Sequence, residues 1–190
     1  MKAEEYYIWE RRVIEECRCG KRDAQKQLYE HFYGEMLGAC MRYTQDREEA
    51  AEILNDGFLK VFTRLAQYDT HNSLRGWIYR IMVNTAIDHY RRSRRHPYTL
   101  DIEHAREKQV DNQIIADLSQ ADLMRFVQRL PDSYRMVFNL YVIEGFPHQE
   151  IAKKLRITEG TSRSHLAKGR YKLQQMLKQH SFSDYERYAG

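Results

Sequence analysis

The sequence predicts an all-α protein of two small helical domains joined by a flexible linker, with the second domain ending in a helix-turn-helix. Three observations carry that expectation. The 190 residues include only nine glycines and three prolines, so turn chemistry is scarce. Apolar residues recur at spacings of three and four along most of the chain, the period of a helix with one buried face. That period lapses from Ser93 to about Gln113, where Pro97 interrupts and charges of both signs mix. The expected division is a first domain over 1–92, a linker over 93–113, a second domain over 114–180 and a tail over 181–190.

In order, Tyr6, Trp9, Val13 and Cys17 stripe a first helix that Gly20 ends. Asp23 caps a longer helix to about Tyr43, with Leu28, Phe32, Met36 and Cys40 as its core face. Asp46 caps a third helix over Arg47 to Gln67, whose apolar face is Ala51, Leu54, Phe58, Val61 and Leu65. On another side of it Glu52, Asn55 and Asp56 lie at i, i+3 and i+4 and project together; spacing alone makes this a solvated patch. Tyr68 to Ser73 reads as a loop, after which Ser73 caps a helix to about Arg92. That helix alternates Trp77, Ile78, Ile81, Ala86 and Ile87 with Arg75, Arg80, Asn84 and His89, and runs into Tyr90 and the cluster Arg91, Arg92, Arg94, Arg95. Rings and amides beside a basic track suit single-stranded nucleic acid, where bases stack and arginines follow the backbone.

Fully extended, the linker's some twenty residues reach roughly 65 Å, comparable to about two turns of DNA. Periodicity resumes from Ile114 to Leu130 through Leu118, Leu123, Phe126 and Val127. Pro131 and Asp132 then open a helix carrying Met136, Val137, Leu140 and Tyr141, and Gly145 closes it.

Pro147 to Leu177 organises the rest. Ile151, Ala152 and Leu155 share one face of a short helix, and Ala152 is small enough for a second helix to cross closely. Arg156 and Ile157 make the turn. Thr158 caps a helix from Glu159 to about Leu177 that sends Arg163, Lys168, Arg170 and Lys172 outward and Leu166, Leu173 and Leu177 inward. From Lys153 to Lys178 there are eight basic residues against the single acid Glu159, which favours DNA over an ordinary solvated hairpin. Such a helix fits a major groove, its N-terminal residues at base edges and its basic ones at phosphates.

The charge is uneven beneath a net +4. Acids slightly outnumber bases from Met1 to Tyr68, whereas Arg75 to Arg95 holds six arginines against Asp88 alone. Cys17, Cys19 and Cys40 are odd in number, lack metal spacing and read as reduced thiols of a cytoplasmic protein. No apolar run reaches spanning length, so no membrane insertion is expected. Phosphate-cradling Gly loops, His-Glu-x-x-His pairs, Cys/His ligand clusters and metal-spaced carboxylates are all missing, so no enzyme activity, metal or cofactor is expected. The seven histidines other than His165 receive no chemistry.

Four motifs in this order are specific together: Glu52-Ile53-Leu54-Asn55-Asp56-Gly57-Phe58, then Arg75-Gly76-Trp77-Ile78-Tyr79-Arg80-Ile81-Met82-Val83-Asn84, then Leu130-Pro131-Asp132 with Arg135, then Glu150-Ile151-Ala152 through Arg170. From about Asp23 to Leu177 the chain resembles bacterial RNA polymerase sigma factors of the two-domain extracytoplasmic-function (ECF) type. The resemblance implies a dissociable subunit that binds core RNA polymerase, directs it to promoters and assists DNA melting. It implies that Glu52, Asn55 and Asp56 dock on the polymerase clamp. Asp69, Asn72, Ser73 and Asn84 would capture a base flipped from the melted non-template strand of the minus-ten element, with Trp77, Arg80, Arg91 and Arg92 beside it. Thr161, Arg163, Ser164, His165, Lys168 and Arg170 would face the duplex minus-thirty-five element. An inhibitory anti-sigma protein is a further implied partner.

Three positions depart from the family's pattern. Arg156 stands where Gly is common, so either it is left-handed at roughly 1 kcal/mol or the turn is built differently. Ser162 stands where an apolar residue is usual, predicting weaker packing of the two helices. His165 stands where Arg is usual. The rival is a stand-alone helix-turn-helix regulator that does not bind core polymerase. Only the sigma case expects the first domain to bind melted DNA in preference to duplex.

Overall fold

A computed structural model describes residues 3–93 and 120–188, with side chains over 4–93 and 123–179. Every regular element among the described residues is helical. Two compact units divide the chain: the first is made of 1–41 and 46–89, the second of 42–45 and the chain from Tyr90 onward.

In the first unit, α1 (Ala3–Arg18) and α2 (Arg22–Met41) are joined at Gly20, whose φ of 75° is the left-handed end that glycine allows. Helix α2 starts two residues earlier than expected, so Asp23 lies in its first turn, where its charge interacts favourably with the helix dipole, and is not its cap. Helix α3 (Arg47–Arg64) opens on Asp46, whose carboxylate accepts the Glu49 N–H at 2.8 Å. It stops three residues short of the expected end, where Leu65–Gln67 tighten into a 3-10 turn. Ala50, not Ala51, is its fully buried alanine, alongside Ile53, Leu54, Phe58 and Val61. Helix α4 (Leu74–Ser93) crosses α3 where Gly57 meets Met82: a methyl on Gly57 would stand 2.3 Å from the Met82 sulfur. Ile78, Ile81, Ala86 and Ile87 are core, as their spacing predicts.

The second unit contains α5 (Gln120–Gln128), α6 (Asp132–Phe138), α7 (His148–Leu155) and α8 (Glu159–Tyr188). The expected stretch from Ile114, with Leu118, begins outside the described residues, as do Arg94, Arg95 and nearly all of the expected linker. Leu130, Tyr134, Leu173 and Leu177 close a core with Phe126 and Val127. The helix opened by Asp132 does not run regularly to Gly145; Asn139–Ile143 widen into a π turn. Gly169 brings α8 against α6, since a Cβ there would sit 3.3 Å from that of Tyr134. Helix α8 also outlasts its expected end near Leu177, so much of the expected tail is helical.

Arg135 is 2 % exposed. Its guanidinium donates to the carbonyls of Gln128 at 2.9 Å and Leu130 at 2.8 Å and pairs with Asp132 at 2.7 Å. A single side chain thus satisfies the end of α5 and ties it to the start of α6.

Candidate nucleic-acid and partner surfaces

On α3, Glu52 and Asn55 are exposed and Asp56 is half-buried. Helical spacing puts Leu59 on the same face, at i+3 from Asp56 and i+4 from Asn55. Leu59 is 65 % exposed, so the patch ends on an apolar side chain that charge alone does not reveal. Neighbouring helices steady its rim: the Tyr29 hydroxyl donates to Asn55 Oδ1 at 3.1 Å. His89 of α4 sits 3.4 Å from Glu49 and 3.9 Å from Glu52. Acids and an amide on the N-terminal side of an exposed leucine suit a basic partner surface with a hydrophobic socket.

The loop between the 3-10 turn and α4 is built by its own side chains. Asp69 accepts from the His71 N–H and from the Asn72 side-chain amide, both at 3.0 Å. Its carbonyl accepts the Asn72 N–H at 3.0 Å, and the Tyr68 hydroxyl donates to the Asn72 carbonyl. Ser73 Oγ accepts the Gly76 N–H at 3.2 Å and so caps α4. The base of this loop is held by Arg18 from α1, which donates to the carbonyls of Leu65 at 3.3 Å and Tyr68 at 2.8 Å. Beyond the loop, Trp77, Arg80, Asn84 and Arg91 form one stripe along α4 by spacing. Trp77 is half-buried with its ring 5.2 Å from that of Tyr68, while Arg80, Asn84 and Arg92 are exposed. Amides, an indole edge and cations in one line offer stacking and phosphate contacts together.

In the helix-turn-helix, Arg156 is the left-handed residue, at φ 56° and ψ 47°. This lets the Ile157 N–H reach back to the Ala152 carbonyl at 3.1 Å, closing α7 as a glycine would. Thr158 Oγ1 accepts the Thr161 N–H at 3.0 Å, the expected cap. Ser162 is wholly buried and lies 2.9 Å from His148 Nδ1. The His148 ring stacks on Tyr141 at 4.5 Å. Burial, and then the guanidinium of Arg163, hold His148 below the ordinary imidazole value; Glu159 opposes the shift and Arg170 adds to it.

The six expected minus-thirty-five residues do not share one face. Ser164 is exposed and, with half-buried Lys168 and exposed Tyr171, forms the outermost stripe of α8. Arg163 pairs with Glu159 at 2.6 Å, and Arg170 lies 5.8 Å over Tyr141, both on the flank beside α7. The hydroxyl of Thr161 is 2.8 Å from that of Thr158. His165 leans against the Tyr134 ring at 5.4 Å and is half-buried, because α6 passes beneath that side. Tyr171 was legible from its spacing to Ser164 and Lys168. Arg18 and His148 left no signal, since their partners are backbone carbonyls and a serine distant in sequence.

Among the described residues no group of three or more His, Cys, Asp or Glu is placed to hold a metal ion. No described helix is long and apolar enough to cross a membrane.

Two helical units, one with a preformed polar loop and a cationic aromatic stripe and the other ending in a basic helix-turn-helix, define a DNA-binding protein of transcription. Sigma-70 region 2 matches residues 28–96, and Sigma-70, region 4 matches residues 120–173. The RNA polymerase sigma-H factor of Pseudomonas aeruginosa is 24 % identical over 180 residues, covering 88 % of this chain and 93 % of that one. The ECF RNA polymerase sigma factor SigW of Bacillus subtilis is 27 % identical over 178 residues, covering 87 % and 95 %. Among solved structures, a sigma factor in complex with an anti-sigma factor from Bartonella quintana aligns with a TM-score of 0.47 and 18 % identity, over 80 % of this chain and 96 % of that one. The chain belongs to the sigma-70 family, as an ECF-type sigma factor acting in transcription initiation.

Proposed function

We propose that this chain is the specificity subunit, not the catalyst, of a transcribing RNA polymerase, and that its work is divided among three surfaces. The face of Glu52, Asn55, Asp56 and Leu59 docks on core polymerase. The loop of Asp69, Asn72 and Ser73, with Asn84, takes a base flipped from the melted minus-ten strand, and Trp77, Arg80, Arg91 and Arg92 line its path. Ser164, Lys168 and Tyr171 face the major groove of the minus-thirty-five element, with Arg163 and Arg170 on one phosphate edge and Thr161 and His165 on the other.

One observation carries this division: the loop that begins α4 is already folded by its own hydrogen bonds, so a base can enter without ordering the backbone first. Extruding a base costs a few kcal/mol of stacking, which stacking in the pocket at roughly 1 to 3 kcal/mol per base offsets. The test is binding of holoenzyme, assembled from core polymerase and this chain, to promoter DNA pre-melted over the minus-ten element against the same DNA fully paired. Tighter binding to the pre-melted form is expected; equal binding would contradict a base pocket.

An anti-sigma protein covering the unused surfaces is the partner expected in the absence of polymerase. Its support is the exposure of Leu59, Tyr141, Val142 and Ile143, apolar side chains costly to leave in water. Recovery of the tagged chain from uninduced cells as a 1:1 complex is the expected result, and recovery of a free, fully active chain would oppose it.

A further inference from the structure

The first helix reaches the loop before α4 through one side chain. Arg18 stands in the last turn of α1, ahead of the region matched by the family. Its guanidinium is spread over three acceptors. Nη1 is held by Glu15 at 2.8 Å, one turn back on the same helix. Nε reaches the Leu65 carbonyl at 3.3 Å and Nη2 the Tyr68 carbonyl at 2.8 Å, across 47 and 50 residues of sequence.

Those two carbonyls bracket the 3-10 turn that follows α3. The Leu65 carbonyl also accepts the Tyr68 N–H at 3.2 Å, so the guanidinium adds a second donor there while another arm of its planar fork reaches the Tyr68 carbonyl. The same residue extends the tie through its side chain, whose ring is buried and touches Trp77 and whose hydroxyl donates to the Asn72 carbonyl. The bonds that Asp69 accepts from His71 and Asn72, and that Ser73 accepts from Gly76, join near neighbours. They give the loop its shape and fasten its far end to α4, while the tie from α1 holds the end that leaves the 3-10 turn.

We infer that Arg18 is a positioning residue for base capture at the minus-ten element: by clamping the Leu65 and Tyr68 carbonyls, it holds the loop of Asp69, Asn72 and Ser73 where a flipped base enters. This rests on the proposed role of that loop. Arg18 touches no DNA in this scheme. Losing it lets the loop drift, and the ordering that the clamp supplies in advance must then be met on binding. Lysine can bond one carbonyl as a point donor but not both as a fork, so it restores only part.

The experiment uses full-length chain with core polymerase on a promoter library randomised over both elements, and reads base preference at each position from the transcripts. The unmodified chain is expected to select bases in both elements. Arg18→Gln should lose on the order of tenfold of the preference at one minus-ten position, about the worth of a single base contact, with preference at the minus-thirty-five element and co-elution with core unchanged. Arg18→Lys should recover part of it. Undiminished minus-ten preference in Arg18→Gln would overturn the inference. So would equal loss at both elements, the mark of general destabilisation, which thermal unfolding of the same variant would reveal. No minus-ten preference in the unmodified chain would overturn the base-pocket reading itself, and the inference with it.

Discussion

His148 Nδ1 and Ser162 Oγ are 2.9 Å apart, joining the two helices of the DNA-reading motif through a polar contact. The presence of a serine at this crossing predicts loose packing, yet Ser162 is fully buried and its hydroxyl is satisfied. What the serine lacks in apolar area, the histidine supplies as a hydrogen bond and as a ring stacked on Tyr141. Ser162→Ala should therefore destabilise the second unit by about 0.5–1.5 kcal/mol, the net worth of one hydrogen bond. Replacing both partners, by Ser162→Val with His148→Tyr, should restore most of it. Denaturant midpoints of the three proteins test this.

The same contact makes stability depend on pH. His148 is held below its ordinary value of 6.5, first by burial and then by Arg163. As pH falls through about 6.5 the unfolded chain binds this proton first, so stability drops with falling pH until the folded form is protonated too. The groups facing the ring are Tyr141, Ser162, Arg163, Arg170 and Glu159, and a proton added among two guanidiniums at the N-terminus of α7 is doubly unfavourable. Urea midpoints should fall between pH 7.5 and 5.5, and fall less in the Ser162→Val, His148→Tyr protein. An equal decline in both would remove His148 as the cause.

Arg156 holds a conformation in which a side chain costs about 1 kcal/mol. Arg156→Gly should raise the unfolding midpoint of the second unit by a few degrees, on the scale of about 4–8 °C per kcal/mol for a small domain. A lower midpoint would mean that the exposed guanidinium stabilises the turn in a way its geometry does not show.

Arg135 offers the opposite outcome. Arg135→Met leaves the Gln128 and Leu130 carbonyls without the donor they face, and should cost at least about 2 kcal/mol, since each bond to a charged donor is worth about 1.5–3. Arg135→Lys should recover little, because an ammonium cannot span both carbonyls and Asp132 as a fork. Thermal unfolding followed by circular dichroism reads both.

On α3 the exposed leucine adds an apolar contact to the proposed docking surface. Leu59→Asp should weaken binding to core polymerase about as much as Asp56→Arg, by tenfold or more, as expected when an apolar contact of an interface is lost. Helicity should be unchanged, since Leu59 faces solvent. Retained co-elution by Leu59→Asp would confine the interface to charges.

Helix identity and core face were legible wherever period and cap agreed. Asp46, Ser73 and Thr158 all cap as their chemistry dictates, and Gly20 ends its helix. What escaped was set by tertiary contact. The choice of Ala50 over Ala51 depends on a few tens of degrees of rotation that a three-four pattern does not resolve. The π turn at Asn139–Ile143 has no proline or glycine inside it to announce it. The six residues assigned to duplex DNA were grouped by charge and position in the helix, whereas His165 is drawn aside by Tyr134 and Arg170 by Tyr141. The Arg18 clamp joins residues 47 and 50 apart through main-chain atoms, which no side-chain pattern encodes.

In the proposed function, one chain grips core polymerase and reads two separated promoter elements. Start-site mapping with core polymerase and this chain on a randomised promoter library tests it most directly. Transcripts are expected to begin at defined positions downstream of two conserved blocks at a fixed separation, and to disappear with the Glu52→Arg, Asp56→Arg chain. Start sites indistinguishable from those of core polymerase alone would contradict it.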